Sequence, residues 1–269
     1  METPLLETIG LRKRFGGVKA VDGVDLRVRD GELLAIIGPN GAGKTTLFNL
    51  LTGMLRPESG RILFAGQEIT RCAPSEIARL GIGRSFQLIS IFPELTAYEN
   101  ALVAVLSHLG LAARPLASLK KARDAHARTV ELLERVGLRA EADQPGGSLS
   151  RGNQKRLDLA IALAGEPRLL LLDEPTAGLA PGETAEITAL LDRVIEEAGI
   201  TILFSEHDMK VVFAVASRIA VMHQGRIIAD GNPEAVRLDP GVQQAYLGRT
   251  SGHAAGPGGR RAPSRPGPE

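Results

Sequence analysis

The sequence predicts a layered α/β protein built on a buried parallel sheet, and three observations carry that prediction. First, "ELLAIIG" (32–38), "RLLLLD" (168–173) and "ITILFS" (200–205) are short, nearly continuous apolar runs. A strand wet on one face alternates apolar and polar residues, whereas a strand covered on both faces is apolar throughout. Second, helical spacing of apolar residues fills stretches such as 45–55 and 182–198 between those runs. Strand and helix in alternation give an α/β layer architecture. Third, a glycine-rich octet, "GPNGAGKT" (38–45), stands where the first apolar run ends and the first helical stretch begins.

The elements follow in order. Residues 6–31 are short, partly alternating runs punctuated by Gly, which predict small antiparallel strands. The strand 32–38 and the glycine-rich loop lead into a helix over 45–55, with Leu47, Leu50, Leu51 and Met54 as its apolar positions. From about 88 to 148 the strand signal fades, and 99–109 and 120–136 read as helices. In the second of these, Ala122, Ala125, Thr129, Leu132, Leu133 and Val136 fall near one face. A further helix begins near Gly152, where Leu157, Ala160, Ile161 and Ala164 share a face. "RIAVMH" and "RIIAD" flank Gln224-Gly225 and predict a late hairpin. The division expected is a domain over 1–250, with an α/β core at 5–87 and 155–248 and a helical insertion at 88–154. The Gly-, Pro- and Arg-rich end, 251–269, is expected to be a disordered tail.

The bulk numbers narrow the function. At 269 residues, 43% apolar and 23% charged, the chain has the size and composition of a folded globular protein. Its 32 basic and 31 acidic side chains balance to +1, which argues against a broad polyanion-binding surface, so no nucleic-acid partner is expected. One cysteine, Cys72, makes neither an intrachain disulfide nor a metal cluster. No apolar run approaches the roughly 18–20 residues that cross a bilayer. "METPLLETIG" carries acids where a signal peptide has a basic region, so the expectation is a cytoplasmic soluble protein.

The octet matches G-x-x-x-x-G-K-[ST], and its setting between strand and helix gives the match its weight. Its glycines let the backbone curl so that successive amides point inward at phosphate oxygens, and the helix N-terminus adds partial positive charge. Gly38, Asn40, Gly41, Ala42, Gly43, Lys44, Thr45 and Thr46 are therefore predicted to surround a nucleotide's phosphates. Lys44 would neutralise the β and γ phosphates, and the Thr45 hydroxyl would hold Mg²⁺. In a parallel sheet the C-terminal strand ends gather at one edge, where ligands bind. The strand ending in Asp173 would then bring a carboxylate to the same Mg²⁺, with Glu174 placed to orient or deprotonate a water at the terminal phosphate. Farther along, "LSRGNQKRLDLAIALA" (149–164) places Ser150 and Gly152 at what reads as an exposed helix N-terminus, with a hydroxyl and free amides suited to an anion.

The order "GPNGAGKT", "RSFQ", "LSRGNQ", "LLLLDEP", "SEHD" resembles the nucleotide-binding subunits of ABC transporters, over about 5–248. "GRSFQ", "AGLAPGE", "EHDMKVV" and "VQQAYLG" are most similar to the longer ATPase subunit of branched-chain amino-acid importers, although urea and amide importers share much of that pattern. The resemblance implies a P-loop NTPase (RecA-like) core with an N-terminal antiparallel β subdomain and an inserted α-helical subdomain. It implies ATP and Mg²⁺ as ligands, with Phe15 stacking on adenine and Thr45, Gln87 and Asp173 around the metal. Glu174, His207 and Lys44 would be catalytic, His207 as the switch histidine at the γ-phosphate. Ser150 and Gly152 would contact the γ-phosphate bound by a second copy in a head-to-tail dimer. The implied partners are two membrane-spanning permease subunits, a second ATPase subunit and, indirectly, an exported substrate-binding protein. The implied location is peripheral, on the cytoplasmic face of the membrane.

Two departures stand out. The usual L-S-G-G-Q is Leu149-Ser150-Arg151-Gly152-Asn153 here, and the usual S-A-L-D is Ala177-Gly178-Leu179-Ala180, which removes one acid from the expected dimer contact. Two other functions fit the ATPase core. An export motor, or a motor for another cargo, uses the same residues. A soluble ATPase of this superfamily acting on nucleic acid or ribosomes usually carries two cassettes or a long coiled-coil insertion, and this chain has neither.

Overall fold

The computed structural model of the chain describes residues 3–85, 91–111 and 119–247. The expected tail and Gln87 lie outside these residues. Two sheets organise the fold. The first is antiparallel, in the order β2-β1-β4-β5, from β1 (Leu6–Phe15), β2 (Val18–Val28), β4 (Ser59–Phe64) and β5 (Gln67–Glu68). The second has the order β10-β9-β3-β8-β7-β6, from β3 (Leu33–Ile37), β6 (Ile82–Ser85), β7 (Leu169–Asp173), β8 (Thr201–Ser205), β9 (Arg218–His223) and β10 (Arg226–Gly231). Its strands pair in parallel except β10, which returns antiparallel to β9. Gln224 and Gly225 make that turn with φ 48° and 79°, the left-handed pair a two-residue hairpin needs.

Every residue of β3, β7 and β8 is buried, which is why their sequences show no alternation. The alternation is between two cores instead. Leu34, Ile36, Leu169, Leu171 and Leu203 face Leu47, Phe48 and Leu51 of α1 (Lys44–Leu51) and the antiparallel sheet. Leu33, Ala35, Leu170, Leu172, Ile202 and Phe204 face a second core with α5 (Arg151–Leu163) and α6 (Pro181–Ala198). Between β6 and α5 lie α3 (Ala97–His108) and α4 (Leu119–Arg135), and α3 packs against α4 and α5. Thr96 and Glu99 start α3 with a reciprocal capping box. The remaining helices are α2 (Pro74–Arg79), α7 (Met209–Val215), α8 (Pro233–Leu238) and α9 (Pro240–Leu247). Among the described residues no helix is long and apolar enough to cross a membrane.

The structure departs from the sequence reading in several places. The N-terminal strands are long, at 10 and 11 residues, and Gly10 lies within a register shift of the β1–β2 ladder rather than in a turn. Helix α1 stops at Leu51, not near 55, because Gly53 turns left-handed with φ 71° just past the Thr52 cap. Ala122 is exposed on α4, while Ala125, Thr129, Leu132, Leu133 and Val136 are buried. Strand β6, "IGRS", has no apolar run to announce it.

Candidate functional site

The loop 38–43 runs from the end of β3 to the start of α1 and is wedged between two other backbones. A Cβ on Gly38 would lie 2.2 Å from the Met222 carbonyl oxygen, and one on Gly43 would lie 2.1 Å from that of Ala20. Gly43 also has φ 108°, so only glycine fits there. Ala42 is buried and its carbonyl accepts from the Gly225 amide at 2.9 Å, which ties the loop to the β9–β10 turn. Asn40 and Gly41 are exposed at the crest, Thr45 is exposed and Thr46 half-buried in the first turn of α1. That helix has no side-chain cap and no acid in its first turn, so none of its own first-turn side chains offsets its positive end.

Lys44 is only 6% exposed and folds back over the loop, its Nζ donating to the Gly38 carbonyl at 2.7 Å. Burial pulls its pKa down, and the Glu174 and Asp173 carboxylates oppose that shift. The loop after β3 that leads to Lys44 and the end of β7 that carries Asp173 and Glu174 thus lie at one edge of the sheet, although β8 separates the two strands.

Asp173, buried at the end of β7, accepts from the Ser205 hydroxyl through Oδ1 at 2.5 Å. Its Oδ2 is buried and has no hydrogen-bond partner among the described residues, with Arg84 Nη2 3.7 Å away. Glu174 follows with φ 54°, in the left-handed region that non-glycine residues avoid. The surroundings hold it there. Its amide donates to the Ser205 carbonyl at 3.0 Å, and its carbonyl accepts from Lys155 Nζ at 3.2 Å. The Glu174 carboxylate lies 2.5 Å from His207 Nε2, and the histidine is 43% exposed.

Glu206, absent from the sequence-predicted set, organises this edge. One of its buried oxygens accepts from the Thr176 amide at 2.9 Å and hydroxyl at 2.5 Å, and the other accepts from the His207 amide at 2.9 Å. It therefore locks together the turns that carry Glu174 and His207. The available signal was an acid directly after an apolar strand, the same placement as Glu174 after β7.

Ser150 caps α5, its hydroxyl accepting from the Asn153 amide at 3.2 Å. The expectation of free, exposed amides beside it is wrong for Gly152. That residue is buried, its amide donates to Glu183 Oε1 at 3.3 Å, and an added Cβ would lie 2.7 Å from the same oxygen. Glu183 bonds the Ala180 amide with its other oxygen at 3.1 Å, so one carboxylate caps α6 and covers the start of α5. Phe15 ends β1, 49% exposed, with Lys13 Nζ 5.6 Å from its ring centre. Opposite it begins β2, whose Ala20 abuts Gly43.

The residues present fit a nucleotide-borne Mg²⁺. The unpartnered Asp173 Oδ2 is a buried oxygen ligand in want of a cation, and Mg²⁺ needs only one or two carboxylates when phosphates and water complete its shell. No group of three or more His, Cys, Asp or Glu suited to holding a metal alone occurs among the described residues.

Comparison with known proteins identifies the family. Residues 21–177 match the ABC transporter family, and 226–250 match the branched-chain amino acid ATP-binding cassette transporter family. The high-affinity branched-chain amino acid transport ATP-binding protein BraF of Pseudomonas aeruginosa is 44% identical over 254 residues, covering 92% of this chain and 99% of that one. The ADP conformation of an ATP-binding cassette of an ABC transporter superposes with TM-score 0.79 at 32% identity, over 92% of this chain and 100% of that one. A dimeric cassette in a post-hydrolysis state with ADP and phosphate gives TM-score 0.73 at 27% identity, over 85% and 98% of the two chains.

Proposed function

The chain belongs to the ABC transporter ATP-binding family and is an ATPase, and from that premise we propose that it drives a branched-chain amino-acid importer. The observation that carries the site assignment is that the glycine-rich loop after β3, which leads to Lys44, and the Asp173-Glu174 pair at the end of β7 lie at the same edge of the sheet, although β3 and β7 are not neighbours. The loop amides and Lys44 bind the phosphates, and Phe15 stacks on the adenine. Asp173 and Thr45, with Gln87, would hold Mg²⁺, which supplies charge neutralisation on the phosphate oxygens. Glu174 takes the proton of a water aligned on the γ-phosphorus. The water oxygen bonds to phosphorus as the bond to the β-phosphate oxygen breaks, giving ADP and phosphate. His207, in contact with Glu174, steadies that carboxylate and reaches the γ-phosphate.

Ser150 and Gly152 act on the nucleotide of a second ATPase subunit, so two ATP molecules lie between head-to-tail partners. Glu183 must leave the Gly152 amide for that contact to form. ATP binding closes the dimer and hydrolysis opens it, which biases two permease subunits between two access states. An exported binding protein delivers the amino acid. The α/β core at 5–87 and 155–248 carries the chemistry, and the helical region 88–154 meets the partners at the cytoplasmic membrane face.

Reconstitution with the permease subunits tests this reading. Uptake of leucine, isoleucine or valine should require ATP and this chain, and Glu174→Gln should keep ATP binding while turnover falls by about 10²–10⁴-fold. ATP turnover that is absent both alone and with the permeases, or normal in E174Q, would overturn it.

A further inference from the structure

Arg84 has no part in the chemistry above, yet it is a charged residue with only 8% of its side chain exposed, beside Asp173. It comes from β6, the edge strand of the parallel sheet, and reaches to α1. Its Nη1 donates to Asn49 Oδ1 at 2.6 Å and to the Thr52 hydroxyl at 3.2 Å, while Nη2 stands 3.7 Å from Asp173 Oδ2. The neighbouring Ser85 points to the other side, where its hydroxyl donates to Asp158 of α5, so Arg84 serves the nucleotide face of the strand.

Burying an ion pair seldom stabilises a fold more than an apolar pair of the same size would, so stability alone is a weak account of this arginine. The distances indicate another use. A separation of 3.7 Å is too long for a hydrogen bond but close enough for strong attraction between full charges. Ser205 holds the other oxygen, Oδ1, at 2.5 Å. The carboxylate is therefore fixed from two sides, and Oδ2 is steered without being saturated. Because a guanidinium does not lose its proton in proteins, the steering charge is permanent. Its anchor, Asn49, lies on the same helix that begins with Lys44, so the phosphate loop and the metal-facing carboxylate share one reference point.

We propose that Arg84 is a positioning residue for Asp173: anchored on α1, it aims the open carboxylate oxygen at the nucleotide's Mg²⁺. The proposal rests on the reading of Asp173 as a metal-holding residue given above.

The test uses the full chain and measures nucleotide binding by calorimetry across a Mg²⁺ series and in EDTA, beside the Mg²⁺ dependence of ATP turnover. Loss of a group that orients a metal-holding side chain lowers metal affinity by about 10–100-fold. Arg84→Met should therefore raise the half-saturating Mg²⁺ by about tenfold or more, with EDTA-state nucleotide affinity unchanged. Arg84→Lys should recover part of the loss, and Asn49→Ala, which removes only the anchor, should shift the Mg²⁺ dependence in the same direction by less. An unchanged Mg²⁺ dependence in R84M, or equal weakening of binding with and without Mg²⁺, overturns the proposal. If R84M does not fold, N49A decides, and an unchanged Mg²⁺ dependence there overturns it. Asp173→Asn separates the two readings: if that variant keeps the wild-type Mg²⁺ dependence, the metal assignment of Asp173 fails and the Arg84 proposal with it.

Discussion

The backbone of Glu174 allows a prediction in which stability and activity part company. Its φ of 54° lies in the left-handed region, where a residue with a Cβ is disfavoured by about 1–2 kcal/mol and glycine is not. Glu174→Ala and Glu174→Gly both remove the carboxylate and its contact with His207, so their difference isolates the backbone. The amide bond to the Ser205 carbonyl at 3.0 Å and the carbonyl bond from Lys155 at 3.2 Å are main-chain interactions that both variants keep. Against the relief of strain stands the greater freedom of glycine in the unfolded chain, worth about 0.4–1 kcal/mol. The balance leaves E174G more stable than E174A by about 0.8 kcal/mol at the middle of both ranges, since central strain exceeds the central entropy difference. For a domain of this size that is about 1–4 °C in melting temperature. Thermal unfolding without nucleotide measures it, with ATP turnover expected to be lost in both variants. E174A melting at or above E174G would refute the strain argument, and with it the view that tertiary contacts hold this residue in an unfavourable conformation.

Three further outcomes follow from the geometry. Gly43→Ala should destabilise the chain by about 2 kcal/mol or more and abolish ATP binding, because its Cβ meets backbone at 2.1 Å, whereas Gly41→Ala, with open space around it, should cost about 1 kcal/mol; equal melting temperatures for the two would contradict this. Glu183→Gln keeps the cap on α6 but removes the negative charge from the start of α5, so in an E174Q background the ATP concentration that drives dimerisation should fall by about 2–5-fold by sedimentation. An equal or higher ATP requirement would show that Glu183 does not oppose the partner's phosphate. The Arg226 hydrogen bonds, with Arg226, Lys19 and Arg12 charges, hold the Asp22 carboxyl below its ordinary range against the opposing effect of desolvation. A depressed carboxylate stabilises the fold above its unfolded pKa of about 3.9, and that contribution is lost as pH falls through the lower folded value. The gap in melting temperature between wild type and Asp22→Asn at pH 7 should hold down to about pH 4 and then narrow as pH falls further, and a gap that stays constant or widens on acidification would count against the assignment.

By itself the sequence determined the features that depend on neighbours along the chain. Continuous apolar runs identified β3, β7 and β8, because a strand buried on both faces has no polar side to show. The Gly-rich octet marked the tight loop between β3 and α1, and Gln224-Gly225 marked the hairpin, because left-handed backbone favours so few residues. What only tertiary structure decided depends on residues far apart in sequence. The sheet order inserts β8 between β3 and β7, and that insertion puts Ser205 in contact with Asp173 and Glu206 behind Glu174 and His207. Glu183 appeared in the sequence only as a residue of a helix, and it took the packing of α6 on α5 to place its carboxylate on the Gly152 amide. Arg84 carried no role in the sequence reading; β6, at the edge of the sheet, brings it to α1 and Asp173. Local periodicity records which face of an element is covered; it holds no information on which distant side chain covers it, and that is fixed only when the strands choose their order.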